Sequence, residues 1–209
     1  MTMTATNPAP LLILISAPSG GGKTTLCDLL LQALPNITRA VTSTTRAPRP
    51  GEQHEQDYYF FTPEEFQRRL AAGEFIEHAT VFGRSYGLLK AELLGKLRSG
   101  KDVLLNIDVQ GAETVRARAQ EDPELKRALV SIFLTPATFA VLEARLRGRN
   151  SDSEAEIQKR LATAHAELAH WNHFDYLLIS TSKEEDLRRA LAIVETEKMR
   201  TERSPAPEI

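Results

Sequence analysis

Residues 11–24 read Leu11-Leu12-Ile13-Leu14-Ile15-Ser16-Ala17-Pro18-Ser19-Gly20-Gly21-Gly22-Lys23-Thr24. The apolar run Leu11 to Ile15 reads as a buried strand, and the residues from Thr25 to Leu31 as the start of a helix. Between them lies a glycine-rich turn. Strand, glycine turn and helix in this order form a phosphate-binding loop. The glycines let backbone N–H groups point inward around phosphate oxygens without Cβ clashes. The helix N-terminus adds its partial positive charge. In such a loop Lys23 reaches the β- and γ-phosphates and the Thr24 hydroxyl ligates Mg²⁺. The pattern G-x-x-x-x-G-K-[ST] opens here with Ala17, the smallest substitute for glycine and acceptable where φ is negative. A plain glycine-rich linker is the competing reading. It fits poorly with Gly20, Gly21, Gly22, Lys23 and Thr24 standing contiguous after a strand.

Outward from this loop, apolar strand-like runs alternate with helical ones. The runs are Arg39 to Ser43, Tyr58 to Phe61, Phe75 to Val81, Asp102 to Asp108, Leu129 to Leu134 and Tyr176 to Ile179. Helical patterns fall at 88–99, 111–120, 136–147, from Glu154 onward, and at 184–200. Thr62-Pro63-Glu64-Glu65 opens a short helix with proline at its first position. Near-continuous apolar strands between helices imply a parallel sheet covered on both faces. The predicted class is therefore α/β, a P-loop core of parallel sheet flanked by helices. Residues 42–88 break the rhythm and read as a small β-rich insertion.

The bulk numbers set limits. A chain of 209 residues suits one α/β domain with insertions. A formal net charge of −2 gives no global field for nucleic acid or anionic membrane, so anion sites must come from local Arg and Lys clusters. Cys27 is the only cysteine, which excludes an intrachain disulfide and fits a reducing, cytoplasmic setting. It reads as a small core residue of the first helix rather than a reactive thiol. The start lacks a basic segment followed by a long apolar run, so it is not read as a signal peptide. Residues 1–9 and 201–209 are expected to be flexible tails.

Three clusters carry candidate chemistry. Asp108 closes an apolar strand, where a carboxylate can hold the Mg²⁺ hydration shell opposite Thr24 through water or cap the following helix; both roles can coexist. Arg46 and Arg49 lie in Thr42-Ser43-Thr44-Thr45-Arg46-Ala47-Pro48-Arg49, where hydroxyls and paired guanidiniums suit a second phosphate, with Tyr58 as a further donor. Arg145, Arg147, Arg149 and Arg160 flank a helix-to-helix segment with Gly148 as a flexible point and Asp152 or Ser153 as an N-cap. Such a segment can cover a transferring phosphoryl group, or simply place arginines at a helix C-terminus. The five histidines show no metal-binding spacing, and none is expected to be catalytic.

Over roughly residues 10–200 the chain resembles guanylate kinase. The segments that carry the resemblance run in order: Ser16 to Thr25, then Thr44-Thr45-Arg46-Ala47-Pro48-Arg49-Pro50-Gly51-Glu52, and Gly73-Glu74-Phe75-Ile76-Glu77-His78-Ala79. Tyr86-Gly87, Ile107-Asp108-Val109-Gln110-Gly111, Leu146-Arg147-Gly148-Arg149 and Asp152-Ser153-Glu154 follow. The resemblance implies transfer of the ATP γ-phosphoryl group to GMP or dGMP with Mg²⁺, in guanine nucleotide recycling. It implies a core at 10–41, 89–145 and 160–200, a GMP-binding insertion at 42–88 and a lid at 146–159. Ala17, Pro18, Ser19, Gly20, Gly21, Gly22, Lys23 and Thr24 should hold ATP. Arg46, Arg49 and Tyr58 should hold the GMP phosphate with Tyr86 near it, and Thr42 and Asp108 complete that site. Glu77 should accept from guanine N1–H and the 2-amino group. Lys23, Arg145, Arg149 and Arg160 should surround the transferring phosphoryl. The alternative is a catalytically silent guanylate-kinase-like domain that binds proteins; such domains lose loop or lid cations that this chain keeps. Neither nucleic acid nor membrane is expected as a partner, and monomer and homodimer are both open.

The chain departs from the family pattern in several places, at Thr42 only from the common serine to another hydroxyl. Leu88 replaces the hydroxyl residue that follows Tyr-Gly, Asn106 replaces the first carboxylate of Asp-Ile-Asp, and Asn150 replaces the second lid glycine. Ser180-Thr181-Ser182 stands where Val-Asn-Asp is common, near the adenine.

Overall fold

The computed structural model describes residues 8–81, 83–148 and 153–204. Strand β1 (Leu12–Ser16) is buried along its whole length and forms the middle of a five-stranded sheet. Its neighbours are β7 (Asp102–Asn106) and β8 (Leu129–Pro136), with β2 (Ile37–Arg39) and β9 (Tyr176–Ser180) at the edges. Every pairing in this sheet is parallel.

Side chains alternate between the faces of a strand, and both faces of β1 are covered. Leu11, Ile13 and Ile15 pack with Leu26, Cys27 and Leu30 of α1 (Lys23–Ala33) and with Ala190 and Val194 of α8 (Lys183–Lys198). Leu12 and Leu14 pack the other way. They meet Leu93 and Leu97 of α3 (Lys90–Arg98), Val115 of α4 (Val109–Gln120) and Leu125 of α5 (Pro123–Ala128). Two-sided burial is why the strand reads as an unbroken apolar run. Each such leucine contributes about 1.5–3 kcal/mol on burial. The chain leaves β1 toward one edge and later returns to its other side. That reversal opens a crevice beyond the C-terminal end of β1, where the phosphate loop begins.

A second sheet has the order β4-β3-β6-β5, formed by Tyr59–Phe60, Ser43–Thr44, Arg84–Leu89 and Phe75–Val81. It is mixed: β3 runs parallel to β4 and antiparallel to β6. Its own small core joins Phe75 and Leu89 to Phe66 of α2 (Pro63–Ala71), with the Phe66 and Phe75 rings stacked at 4.4 Å. Gly87 is required here, because a Cβ would stand 2.7 Å from the Phe75 ring.

Several sequence expectations need correction. The run from Arg39 to Ser43 is not one strand: β2 ends at Arg39 and β3 starts at Ser43, and residues between them cross from one sheet to the other. Leu88 and Leu89 are not helical but end β6, where they pair with β5. β7 stops at Asn106, because Asp108 turns into the N-cap of α4. The helix expected from residue 136 begins at Phe139, since β8 continues to Pro136. Within the segment 201–209, expected as a tail, Arg203 is packed against the core. This guanidinium is 6 % exposed, pairs with buried Glu197 and donates to Arg127 O at 2.8 Å. Among the described residues no helix is long and apolar enough to cross a membrane.

Candidate active site

β1 delivers the chain into the loop 17–24. Gly20 and Gly22 hold φ of 86° and 100°, a region that L side chains rarely adopt. A Cβ at Gly21 would lie 2.9 Å from both the Ala17 Cβ and the Pro18 carbonyl oxygen. Glycine at 21 thus makes room for alanine at 17, which is itself buried in the core. Helix α1 has Gly22 as its N-cap and no side-chain cap, so its first N–H groups face the crevice without a side-chain acceptor.

Lys23 Nζ donates to Ile107 O at 2.8 Å. Burial lowers its pKa, and the charge of Asp108 offsets part of that. Asp108 Oδ1 accepts from Gly111 N at 2.8 Å, so the helix-capping role is real. Asp108 also lines a cavity of about 240 Å³ with the loop and Glu167, so the two readings of this carboxylate are compatible. Cys27 lies behind the loop, and burial pushes its thiol up to about 11, as suits an inert core residue.

Glu167, on α7 (Glu154–Leu168), was not among the sequence candidates. Its Oε2 accepts from Ser19 N at 3.0 Å, directly on the phosphate loop. Burial raises its pKa.

A second cavity of about 360 Å³ flanks the loop on the α8 side, lined by Gly20, Leu26, Leu29, Arg145, Thr181 and Ser182 among others. Arg145, on α6 (Phe139–Arg147), reaches Gly21 O at 3.5 Å and Ser180 Oγ at 3.2 Å. Ser180 Oγ in turn donates to buried Asp186 at 2.7 Å. Asp186 is another residue that the sequence reading missed.

A third cavity of about 360 Å³ lies between the two sheets, lined by Thr42, Tyr58, Glu77, Leu88 and Asn106 among others. Glu77 is half-buried there, and its carboxyl is pushed up to about 7, mainly by burial and then by the charge of Asp108. Leu88, paired with Glu77 across the strands, is 2 % exposed. It therefore brings an apolar wall where a hydroxyl would bring a donor. Lys90 is held away in an ion pair with Asp122 at 2.7 Å.

At the mouth of this cavity Arg46 lies over the Tyr58 ring, 5.4 Å from its centroid, and Tyr58 and Tyr86 stand edge to face at 6.4 Å. Glu52 organises the loop. It accepts from Arg46 Nη2 at 2.8 Å and from Arg49 N at 2.6 Å. The same pairing raises the Arg46 pKa and lowers that of Glu52. Arg49 is exposed.

The arginines of α6 and α7 differ in their partners. Arg147 pairs with Glu143 at 2.9 Å and Glu154 at 2.6 Å, tying α6 to α7 instead of facing a cavity. Arg160 is half-buried on α7. Ser153 caps that helix in a reciprocal capping box with Glu156. Arg149, Asn150 and Asp152 lie outside the described residues. Among the described residues no group of three or more His, Cys, Asp or Glu is arranged to hold a metal ion.

A glycine-rich loop between β1 and α1, at the switch point of a parallel sheet and with its lysine and hydroxyl in place, defines a P-loop nucleotide-binding protein. Residues 9–197 match the family model described as guanylate kinase. A guanylate kinase of Idiomarina loihiensis is 44% identical over 195 residues, covering 92% of this chain and 88% of that protein. One from Paramagnetospirillum magneticum is 41% identical over 193 residues, covering 92% and 87%. The crystal structure of guanylate kinase from Anaplasma phagocytophilum aligns with a TM-score of 0.66 at 34% identity, covering 94% of this chain and 90% of that one. The chain belongs to the guanylate kinase family.

Proposed function

We propose that the cavities are the two substrate sites of an ATP:GMP phosphotransferase, with ATP along the phosphate loop and GMP between the sheets. The carrying observation is their junction: Asn106 and Ile107 line the cavity between the sheets and the next residue, Asp108, lines the loop cavity with its carboxylate, so the two sites meet just beyond β7. An acceptor phosphate held at Arg46 and a donor phosphate held at the loop would then face each other across that carboxylate.

In this reading the segment Ala17 to Thr24 wraps the ATP phosphates and binds them with its remaining backbone N–H groups, since Pro18 has none, Ser19 N donates to Glu167 and Gly21 N donates to Pro18 O. Lys23 leaves the Ile107 carbonyl for the transferring phosphoryl, joined by Arg145, Arg149 and Arg160. The transition state spreads charge over three oxygens, so these cations work by positioning and charge stabilisation. Arg46, Arg49, Tyr58 and Tyr86 hold the GMP phosphate, and Glu52 pre-orients Arg46. Glu77 reads the guanine N1–H and 2-amino donors, with Thr42 and Asp108 completing the site.

Thr24 and Asp108 offer the hard oxygen donors that Mg²⁺ favours, and their shared cavity fits the ion with its waters. The ion would neutralise charge on the ATP phosphates. The division into a core, a GMP-binding insertion at 42–88 and a lid at 146–159 follows the same reading. Closure of insertion and lid would exclude water, which otherwise competes as acceptor. A cytoplasmic setting agrees with Cys27 as a buried free thiol.

The test is Arg46→Met. Loss of a charge-assisted contact of about 1.5–3 kcal/mol should raise KM for GMP at least tenfold, with KM for ATP kept within about twofold. An equal rise in both constants would assign the Arg46 loop to the wrong substrate.

A further inference from the structure

Helix α7 is fastened along its length, with the Phe139 ring of α6 edge to face with His165 at 6.0 Å. Its first turn is tied to α6 by the Arg147–Glu154 pair. Its middle packs Ile157 and Leu161 against Leu146 of α6. Its last turn carries Glu167, whose carboxylate accepts from Ser19 N at 3.0 Å across a sequence separation of 148 residues. The loop is shaped to receive these neighbours. A Cβ at Gly20 would stand 3.0 Å from the Leu146 side chain, so glycine there lets α6 lie against the loop. Arg160 stands seven residues before Glu167. Two helical turns place both side chains on one face of α7, about 10 Å apart along its axis.

We infer that Glu167 is a positioning residue, which locks the last turn of α7 to the phosphate loop and thereby fixes where Arg160 stands relative to the ATP phosphates. This rests on the placement of Arg160 at the transferring phosphoryl. The reason is geometric. Without the tie, α7 keeps its attachment to α6 through Leu146 and the Phe139–His165 contact, but its last turn is no longer bonded to the phosphate loop. A small misplacement of a transition-state cation costs rate while leaving ground-state binding of GMP alone. The bond needs an acceptor oxygen, which a carboxamide also supplies, so the role does not depend on the negative charge.

The experiment compares Glu167→Ala, Glu167→Gln, Arg160→Met and the Glu167→Ala/Arg160→Met pair in steady-state kinetics, with thermal melts alongside. Glu167→Ala should lower kcat about tenfold with KM for GMP unchanged, in the range that misplacement of a catalytic group produces. Glu167→Gln should restore kcat to near the wild type. The double variant should be no slower than Arg160→Met alone, because both changes spoil the same contact. Wild-type kcat in Glu167→Ala overturns the inference. So does a Glu167→Gln as slow as Glu167→Ala, which would make the charge beside Lys23 the active element. Fully multiplicative losses in the double variant overturn it too. Should Glu167→Ala fail to fold, Glu167→Asp, one methylene shorter, takes its place against Glu167→Gln. Wild-type kcat in Arg160→Met would instead defeat the placement of Arg160 on which the inference stands.

Discussion

The Glu77 carboxyl sits half-buried between the sheets, pushed up to about 7 by burial and by Asp108. In the proposed site guanine would present two donors to it, N1–H and the 2-amino group. Only the ionised carboxylate can accept both; the protonated acid offers a donor where an acceptor is needed. The sign follows directly. The competent form is present above about pH 7 and is lost as pH falls through that value. One pH unit below its pKa about a tenth of the carboxyl is ionised, so kcat/KM for GMP should fall toward tenfold per unit below neutrality. GMP has a limb of its own, because a phosphate monoester takes up its second proton near pH 6. Glu77→Gln separates the two: it should lower kcat/KM at pH 8 and leave only the limb near 6. The assay is initial-rate kinetics at saturating ATP over roughly pH 5.5–8.5, spanning both expected transitions. A wild-type profile that stays flat down to about pH 6.5, or an unchanged upper limb in Glu77→Gln, would refute the assignment of Glu77 to the base.

Three further outcomes are expected. Lys23→Met should lower kcat about 10²–10³-fold, the cost of one strong transition-state contact, with an unchanged circular dichroism spectrum; a variant that turns over normally removes Lys23 from the mechanism. Leu88→Thr should raise kcat/KM for GMP about tenfold, about 1.4 kcal/mol, by giving guanine O6 a donor it otherwise lacks. Because Leu88 is buried, the same change should lower the melting temperature by several degrees. A neutral or slower Leu88→Thr means that another group already satisfies O6, since Lys90 is engaged with Asp122.

The elements legible in the sequence are those whose burial is two-sided or whose ends are capped. The stretch Leu11 to Ile15 reads as five consecutive apolar residues because helices cover both faces of β1. The Thr62–Pro63 start of α2 and the Ser153 start of α7 carry cap chemistry that needs no tertiary context. β2 and β3 have three and two residues, too few for any period, so a crossing between sheets passed for one strand. Leu88 and Leu89 continue into the apolar positions of α3, and only pairing with β5 makes them strand. α5 was missed although Asp122 and Pro123 mark its start, because six residues carry too little pattern. In the site, the loop and the Arg46 segment are local and therefore readable. Glu167 acts through a bond to Ser19, 148 residues away, that only the folded chain makes. A glutamate on an amphipathic helix reads as solvated, and the seven-residue spacing from Arg160 was the one available hint.

The central claim is that ATP and GMP are the substrates and that Glu77 selects the base. ADP release from ATP, coupled to a continuous readout and run in parallel with GMP, dGMP, IMP and AMP, tests it most directly. GMP and dGMP should be phosphorylated, IMP more weakly for want of the 2-amino donor, and AMP at background. Adenine N1 carries a lone pair where the Glu77 carboxylate requires a hydrogen. AMP turned over as well as GMP, or no ADP formed with GMP, would contradict the account.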